Sequence, residues 1–436
     1  MTDIDGILAA DRDHVWHPWG KQGVASGLVV SHASGVSVWD GAGRQYLDLT
    51  SQLVFTNTGH QHPRVVSAII AQAQRLAAAS PNVAVDVRSE AARLVAHHAP
   101  EGFEYVFFTT GGTEAVENAI RAARQVTGRR KILSSYLGYH GNTTASISAT
   151  GDPRRFGNEF AVDHIRFFSP HLYRSAFWAA TAEEECERGL AHLRAVIEFE
   201  GPASVAAVLL ETVIGAGGVI PPPRGYLAGV RALCDEYGIM LVLDEVMAGF
   251  GRTGRWFAFE HYDVVPDIFT VAKGINAGAV PLGAVVFSDR VASVFRERPF
   301  PGGMTYSGHP LACAAAVGAM HAMAEEDMVG RAERLGSEVL GPGLRRLASA
   351  HESVGEVRGV GAFWAMELVC DPVARTPMAA DVMTAFGAQM MRLGVLGLVV
   401  ANRLHIAPPL VLSDEQADEA FAVIDRALEV TDARVG

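Results

Sequence analysis

The strongest constraint on this chain is an alternation. Short runs that are apolar almost throughout are separated by longer stretches with helical spacing. EYVFFTT leads into GGTEAVENAIRAARQVTG, and VAAVLLE precedes YLAGVRALCDEYG. IMLVLDEV, DIFTVAKG and GAVVFSD follow. A strand that is apolar on both faces needs cover on both, and intervening helices supply it. The pattern predicts an α/β fold with a mostly parallel sheet between helices.

The two ends of the chain read differently. Residues 28–49, LVVSHASGVSVWDGAGRQYLDL, turn and alternate like a small antiparallel meander. Residues 357–412 hold further short strands between helices. SDEQADEAFAVIDRALEV reads as an amphipathic helix with a capping box at Ser413. A chain of 436 residues is too long for one simple core. The expected organisation is an N-terminal segment (1–54) belonging to a small α+β domain, a large domain (55–310), and the rest of the small domain (311–436).

A net charge of −12 argues against non-specific nucleic-acid binding. The N-terminus MTDIDGILAADRDHVW has no basic region and no apolar core, so it does not read as a secretory signal. LACAAAVGAMHAMA is too short to cross a bilayer. Cys186, Cys234, Cys313 and Cys370 lie far apart and read as reduced core thiols. A cytoplasmic protein that acts on small molecules is expected.

Lys273, in IFTVAKGINAG, closes an apolar strand. Lysine prefers water, so the plain alternative is a side chain that reaches the surface. Desolvation would instead lower its pKa and make the amine nucleophilic toward carbonyls. Its surroundings bear on the choice. In LVLDEVMAGFGRTG, Asp244 and Glu245 end an uncharged strand, where a carboxylate can face a cationic ring nitrogen or merely meet solvent. In FFTTGGTEAVENAI, glycines lead from strand to helix and suit a phosphate, with Thr113 or a neighbour as the alternative helix cap. Tyr139 and His140 in SYLGYHGNT offer aromatic faces, and Thr305 in GGMTYSGHPLACAAA offers a hydroxyl. Together these describe pyridoxal 5′-phosphate (PLP): a phosphate holder, an aromatic plate, an acid for a ring nitrogen and an amine for an aldehyde.

With these motifs in this order, the chain resembles the class III, or ω-amino, aminotransferases of PLP fold type I, closest to the ω-amino acid/amine:pyruvate branch. The resemblance covers about Trp16 to Leu428. It implies that Lys273 holds the cofactor as a Schiff base and shuttles the proton. It also implies that Asp244 pairs with the pyridine nitrogen, and that Val246 and Tyr139 pack on the two ring faces. Gly111, Gly112 and Thr113 would bind the phosphate, with His140 and Glu211 in the cofactor's surroundings. Thr305 would reach the phosphate of a neighbouring subunit, which implies at least a homodimer.

Departures from the family bear on the substrate. Met247 stands where many relatives carry Gln, which points to pyruvate as acceptor. Gly111 stands where Ser is frequent, leaving backbone N–H groups to hold the phosphate. His405 stands where many relatives carry Arg. Arg403, two residues earlier on the same strand face, is either a replacement for carboxylate recognition or a surface charge. Trp19, Leu53 and Val54 would line an aromatic and aliphatic donor pocket suited to an amine far from any charge. Core packing is the alternative for Leu53 and Val54. His60 and His62 show no acid partner in the sequence and read as loop structure rather than a metal site.

The expected reaction is transfer of an amino group from an ω-amino acid or amine to a small 2-oxo acid by a ping-pong route. The nearest rivals are an aminomutase, a racemase or a decarboxylase on the same cofactor grip. A nicotinamide-dependent dehydrogenase is disfavoured by the lack of a fitting GxGxxG, and a Schiff-base aldolase without PLP is a more distant alternative.

Overall fold

The computed structural model describes residues 3–24, 27–158 and 162–436. Seven strands form the central sheet, in the order Tyr105–Thr109, Gly283–Phe287, Ile268–Val271, Met240–Asp244, Val205–Glu211, Lys131–Ser135 and His164–Phe167. Gly283–Phe287 runs antiparallel to both neighbours, and the other adjacent pairs are parallel. Every residue of Val205–Glu211 and of Met240–Asp244 is buried. That is what unbroken apolar runs demand: both faces are covered by helices, including Gly112–Thr127 and Tyr226–Tyr237. These two helices stop at Gly128 and Gly238, both with left-handed φ, as glycine permits.

The ends of the chain meet in a second region. Val30–Ser34, Ser37–Asp40 and Gln45–Asp48 form the antiparallel meander, and Val395–Leu396 adds to it in parallel. A further sheet places Val354–Val360, Phe363–Asp371, Arg403–Ile406 and Leu398–Val400 side by side. The closing helix Asp414–Asp432 starts with a capping box at Ser413. Helix Pro310–Glu325 is built of small residues because it packs closely. A Cβ on Gly318 would lie 3.0 Å from the carbonyl oxygen of Arg64 on helix Pro63–Arg75. Among the described residues, no helix is long and apolar enough to cross a membrane.

Arg252, from the GFGRTG segment, joins these parts and is fully buried. Its Nη1 donates to the carbonyl oxygens of Ala362 (3.0 Å) and Pro408 (2.5 Å). Its Nη2 donates to Asn57 Oδ1 (2.7 Å) and Ser51 Oγ (3.1 Å). Burial pushes its pKa down to about 9, partly offset by Asp48. One side chain thus ties the N-terminal segment and the C-terminal strands to the central domain. The two histidines differ from the sequence expectation, because the fold brings each an acid. His60 meets Asp48 at 2.8 Å and His62 meets Glu326 at 3.0 Å. Arg252→Met should leave two carbonyls and two side chains without their donor. It should lower the unfolding free energy by about 3 kcal/mol or more, read from the denaturant midpoint.

Candidate active site

The sheet places the charged groups by register. Glu211 and Asp244 are opposite residues on neighbouring parallel strands, and Asp244 is opposite Thr270 on the next. Lys273 follows two residues after that strand ends. The carboxyl ends of three adjacent strands therefore gather two acids and one amine, at the edge where open α/β sheets bind ligands. Lys273 adopts a left-handed backbone, φ 44°. A non-glycine residue held so is strained and needs its surroundings to fix it.

The two acids that close the Met240–Asp244 strand have different surroundings. Asp244 is 3% exposed; it accepts from Val246 N (3.0 Å) and lies 2.8 Å from His140 Nδ1. Burial alone would push the His140 imidazole down, but the hydrogen bond to Asp244 and its charge outweigh that and raise its pKa. Glu245 is fully buried and faces away from this group. It accepts from Thr212 Oγ1 and from the backbone N–H groups of Ala258 (2.8 Å) and Phe259 (3.2 Å). Burial lifts its pKa to about 7, and its contacts make it an anchor for the 258–262 turn. Neither acid meets solvent.

Glu211 accepts from Tyr139 N (2.9 Å) and Gly215 N (2.8 Å). Burial raises it to about 7, with Asp244 pushing in the same direction and His140 opposing. Burial also brings Lys273 down to about 8; Glu211 and Asp244 oppose that shift and Arg154 adds to it. An amine in this setting keeps a neutral, nucleophilic fraction of about a tenth at pH 7, far more than a solvated lysine does.

The GGT loop lies against the same group. A Cβ on Gly112 would lie 3.0 Å from the Val246 methyls and 3.6 Å from Ala272, so a side chain here would force Val246 to give way. Gly111 is the N-cap of helix Gly112–Thr127, and no side chain caps it, contrary to the Thr113 alternative. The first-turn N–H groups are thereby left for an anion. Thr113 Oγ1 points toward Gly141, where an added Cβ would meet it at 2.7 Å. Thr305 is exposed.

The entrance differs from the uncharged pocket expected. Trp19 is 64% exposed and sits 5.6 Å from the guanidinium of Arg154, which also lies 3.6 Å from the centre of the Tyr139 ring. Arg154 had no signal in the sequence, since GDPRRFG reads as an ordinary turn; the fold lays that turn across the Ser135–Tyr139 loop, with Gly151 N bonded to Gly138 O at 2.8 Å. Val54 is 1% exposed and packs with Val213, Val219 and Ala248, while Leu53 is exposed. Arg403 is not a surface charge: it is largely enclosed, and its Nε is buried without a hydrogen-bond partner among the described residues. Its neighbours are paired already. Glu367 is bonded by Arg174 and lies 2.8 Å from Arg358, and Arg358 also pairs with Glu356.

Over residues 20–428 the chain matches the family "Aminotransferase class-III". The chain belongs to the class-III aminotransferases. It is 37% identical to the acetylornithine aminotransferase of Methanopyrus kandleri, over 91% of this chain and 93% of that one. It is 34% identical to the taurine–pyruvate aminotransferase of Rhodobacter capsulatus, over 98% and 97%. The taurine:2-oxoglutarate aminotransferase of Bifidobacterium kashiwanohense, solved with PLP and glutamate, superimposes with a TM-score of 0.96 at 38% identity, covering 99% of each chain. This aminotransferase has PLP fold type I and uses PLP as its cofactor. The residues present fit that group. The helix start without a cap suits a phosphate, the buried Asp244 keeps acceptor capacity for a ring N–H, and Lys273 supplies the amine.

In cofactor-free protein, arylation of Lys273 by 1-fluoro-2,4-dinitrobenzene should rise through about pH 8 and level off above it. An ordinary lysine would keep gaining reactivity up to about pH 10.5. Peptide mass spectrometry across a pH series reads the difference.

Proposed function

We propose that this aminotransferase takes the amino group from an ω-amino acid or amine and passes it to pyruvate, in two half-reactions with the first product leaving before the acceptor binds. The observation that carries this reading is the register of Glu211, Asp244 and Lys273 at one edge of the sheet. Bound PLP supplies an aldehyde for the amino group and a ring that accepts electrons.

Each residue then has a task. Lys273 would hold the cofactor through its amine and would carry the proton at the donor carbon. Asp244, oriented by His140, keeps the ring nitrogen protonated. Gly111, Gly112 and Thr113 would hold the phosphate, Val246 and Tyr139 would pack on the ring, and Glu211 fixes Tyr139 through its backbone N–H. Arg403 is the candidate for the acceptor carboxylate: its Nε is buried without a hydrogen-bond partner among the described residues, beside arginines already paired with acids. Met247 packs against Gly215 with an apolar side chain where many relatives carry Gln, which suits a small acceptor. The Rhodobacter relative named for taurine and pyruvate supports this choice. The exposed Thr305 reaches the phosphate of a second copy, so the active form is a homodimer.

Lys273→Ala should reduce turnover by about 10⁴-fold or more, and Asp244→Asn by about 10²–10³-fold, with the fold retained by circular dichroism. Full turnover in Lys273→Ala would remove the assignment. In a half-reaction screen, amine donors should bleach the visible band of the holoenzyme. Pyruvate should restore it faster than 2-oxoglutarate or glyoxylate; restoration by 2-oxoglutarate alone would overturn the acceptor assigned here.

A further inference from the structure

A cavity of about 320 Å³ lies apart from the strand ends that gather Lys273, Asp244 and Glu211. Its volume is within the range of small-molecule sites. Its walls come from distant parts of the chain. Pro170, His171 and Leu172 form one side, with Ile220 beside them. Arg345 on helix Gly341–Ala350, Arg358 on strand Val354–Val360 and Trp364 on strand Phe363–Asp371 form the other. Neither Lys273, Asp244 nor Arg403 lines it.

The acids at this cavity already have donors. Glu185 accepts from His171 N (2.8 Å) and from Ser175 Oγ. Glu356 pairs with Arg358, and the nearby Glu367 is met by both Arg174 and Arg358. The groups left over are donors. His171 Nε2 is buried, has no hydrogen bond among the described residues, and lies 3.5 Å from Glu356. Arg358 Nη2 is also buried without a hydrogen bond among the described residues. Arg345 stands 5.5 Å from the centre of the Trp364 ring, and its guanidinium has no hydrogen-bond or ion-pair partner among the described residues.

These leftovers select the sign of a ligand. His171, Glu356 and Glu367 are close enough together to suggest a metal ion. Two arginines already neutralise those acids, however, and a cation would have to displace them. Spare N–H groups call instead for an acceptor, since buried polar groups are rarely left unmet. Much of the remaining wall is apolar, through Pro170, Leu172, Ile220, Val357 and Trp364.

We propose that this cavity binds a small carboxylate with an apolar body, its oxygens toward Arg345 and His171 and its body against Leu172, Ile220 and Trp364. A guanidinium edge matches two carboxylate oxygens. The Trp364 ring steadies the Arg345 guanidinium by a cation–π contact. This is a second ligand site, separate from the one that carries out transamination.

Calorimetry on the holoenzyme, with its active site blocked by aminooxyacetate, tests it with three probes. Phenylacetate has both features, phenylacetamide lacks the charge, and acetate lacks the body. Phenylacetate should bind with a Kd of about a millimolar or tighter, and at least about tenfold more tightly than the other two. Arg345→Gln and Leu172→Asp should each weaken it by about tenfold or more. Both side chains are exposed, so the fold should tolerate either change, and turnover of the unblocked enzyme should stay the same. Loss of phenylacetate binding when the active site is blocked would assign it to that site and overturn the proposal. Equal binding of phenylacetamide or acetate, or an unchanged Kd in either variant, would overturn it as well.

Discussion

Removal of water from one amine organises this protein. Lys273 stands past the end of a fully buried strand, and burial draws its pKa to about 8. That shift is limited by two carboxylates, Glu211 and Asp244, which the parallel register sets on the neighbouring strands. Without them desolvation would act unopposed, and with solvent present the amine would be an ordinary ammonium ion. His140 completes the balance, because its hydrogen bond to Asp244 keeps that carboxylate aligned and partly compensated.

Both ends of the chain are fastened to the central region close to this site. Arg252 carries the connection: its four hydrogen bonds reach the N-terminal segment through Ser51 and Asn57, and the C-terminal part through Ala362 and Pro408. Asn57 also donates to Phe250 O, and its amide lies where a Cβ on Gly274 would be, 2.4 Å away. The grip on the chain ends thus reaches the residue next to Lys273. In the stretch LVLDEVMAGFGRTG, Arg252 ties the chain ends to the central sheet region, while Asp244 faces the site.

Much of this was legible in residue order. Near-continuous apolar strands led to a doubly covered parallel sheet, and the motifs led to the class III family and its cofactor. What stayed hidden has a common cause. Asp244 and Glu245 are adjacent acids, and only the packing of the 258–262 turn shows that Glu245 is an anchor. His60 and His62 lacked acids in sequence because Asp48 and Glu326 reach them through space. The surroundings of Trp19 read as uncharged because Arg154 arrives from a turn more than a hundred residues from Trp19 and Lys273.

The sequence by itself determined the α/β class, the family, the cofactor and the order of the chemical groups along the chain, because hydrophobic periodicity and short motifs are local properties. The tertiary structure decided which of those groups are dry, which are paired and which cation is left over. Arg174 and Arg358 share the buried Glu367, Arg403 beside them has no acid partner among the described residues, and Arg154 meets Asp152 along one edge beside Trp19. Charge pairing and desolvation act through space over a few ångströms, and residues at that distance are set by folding rather than by their separation in sequence.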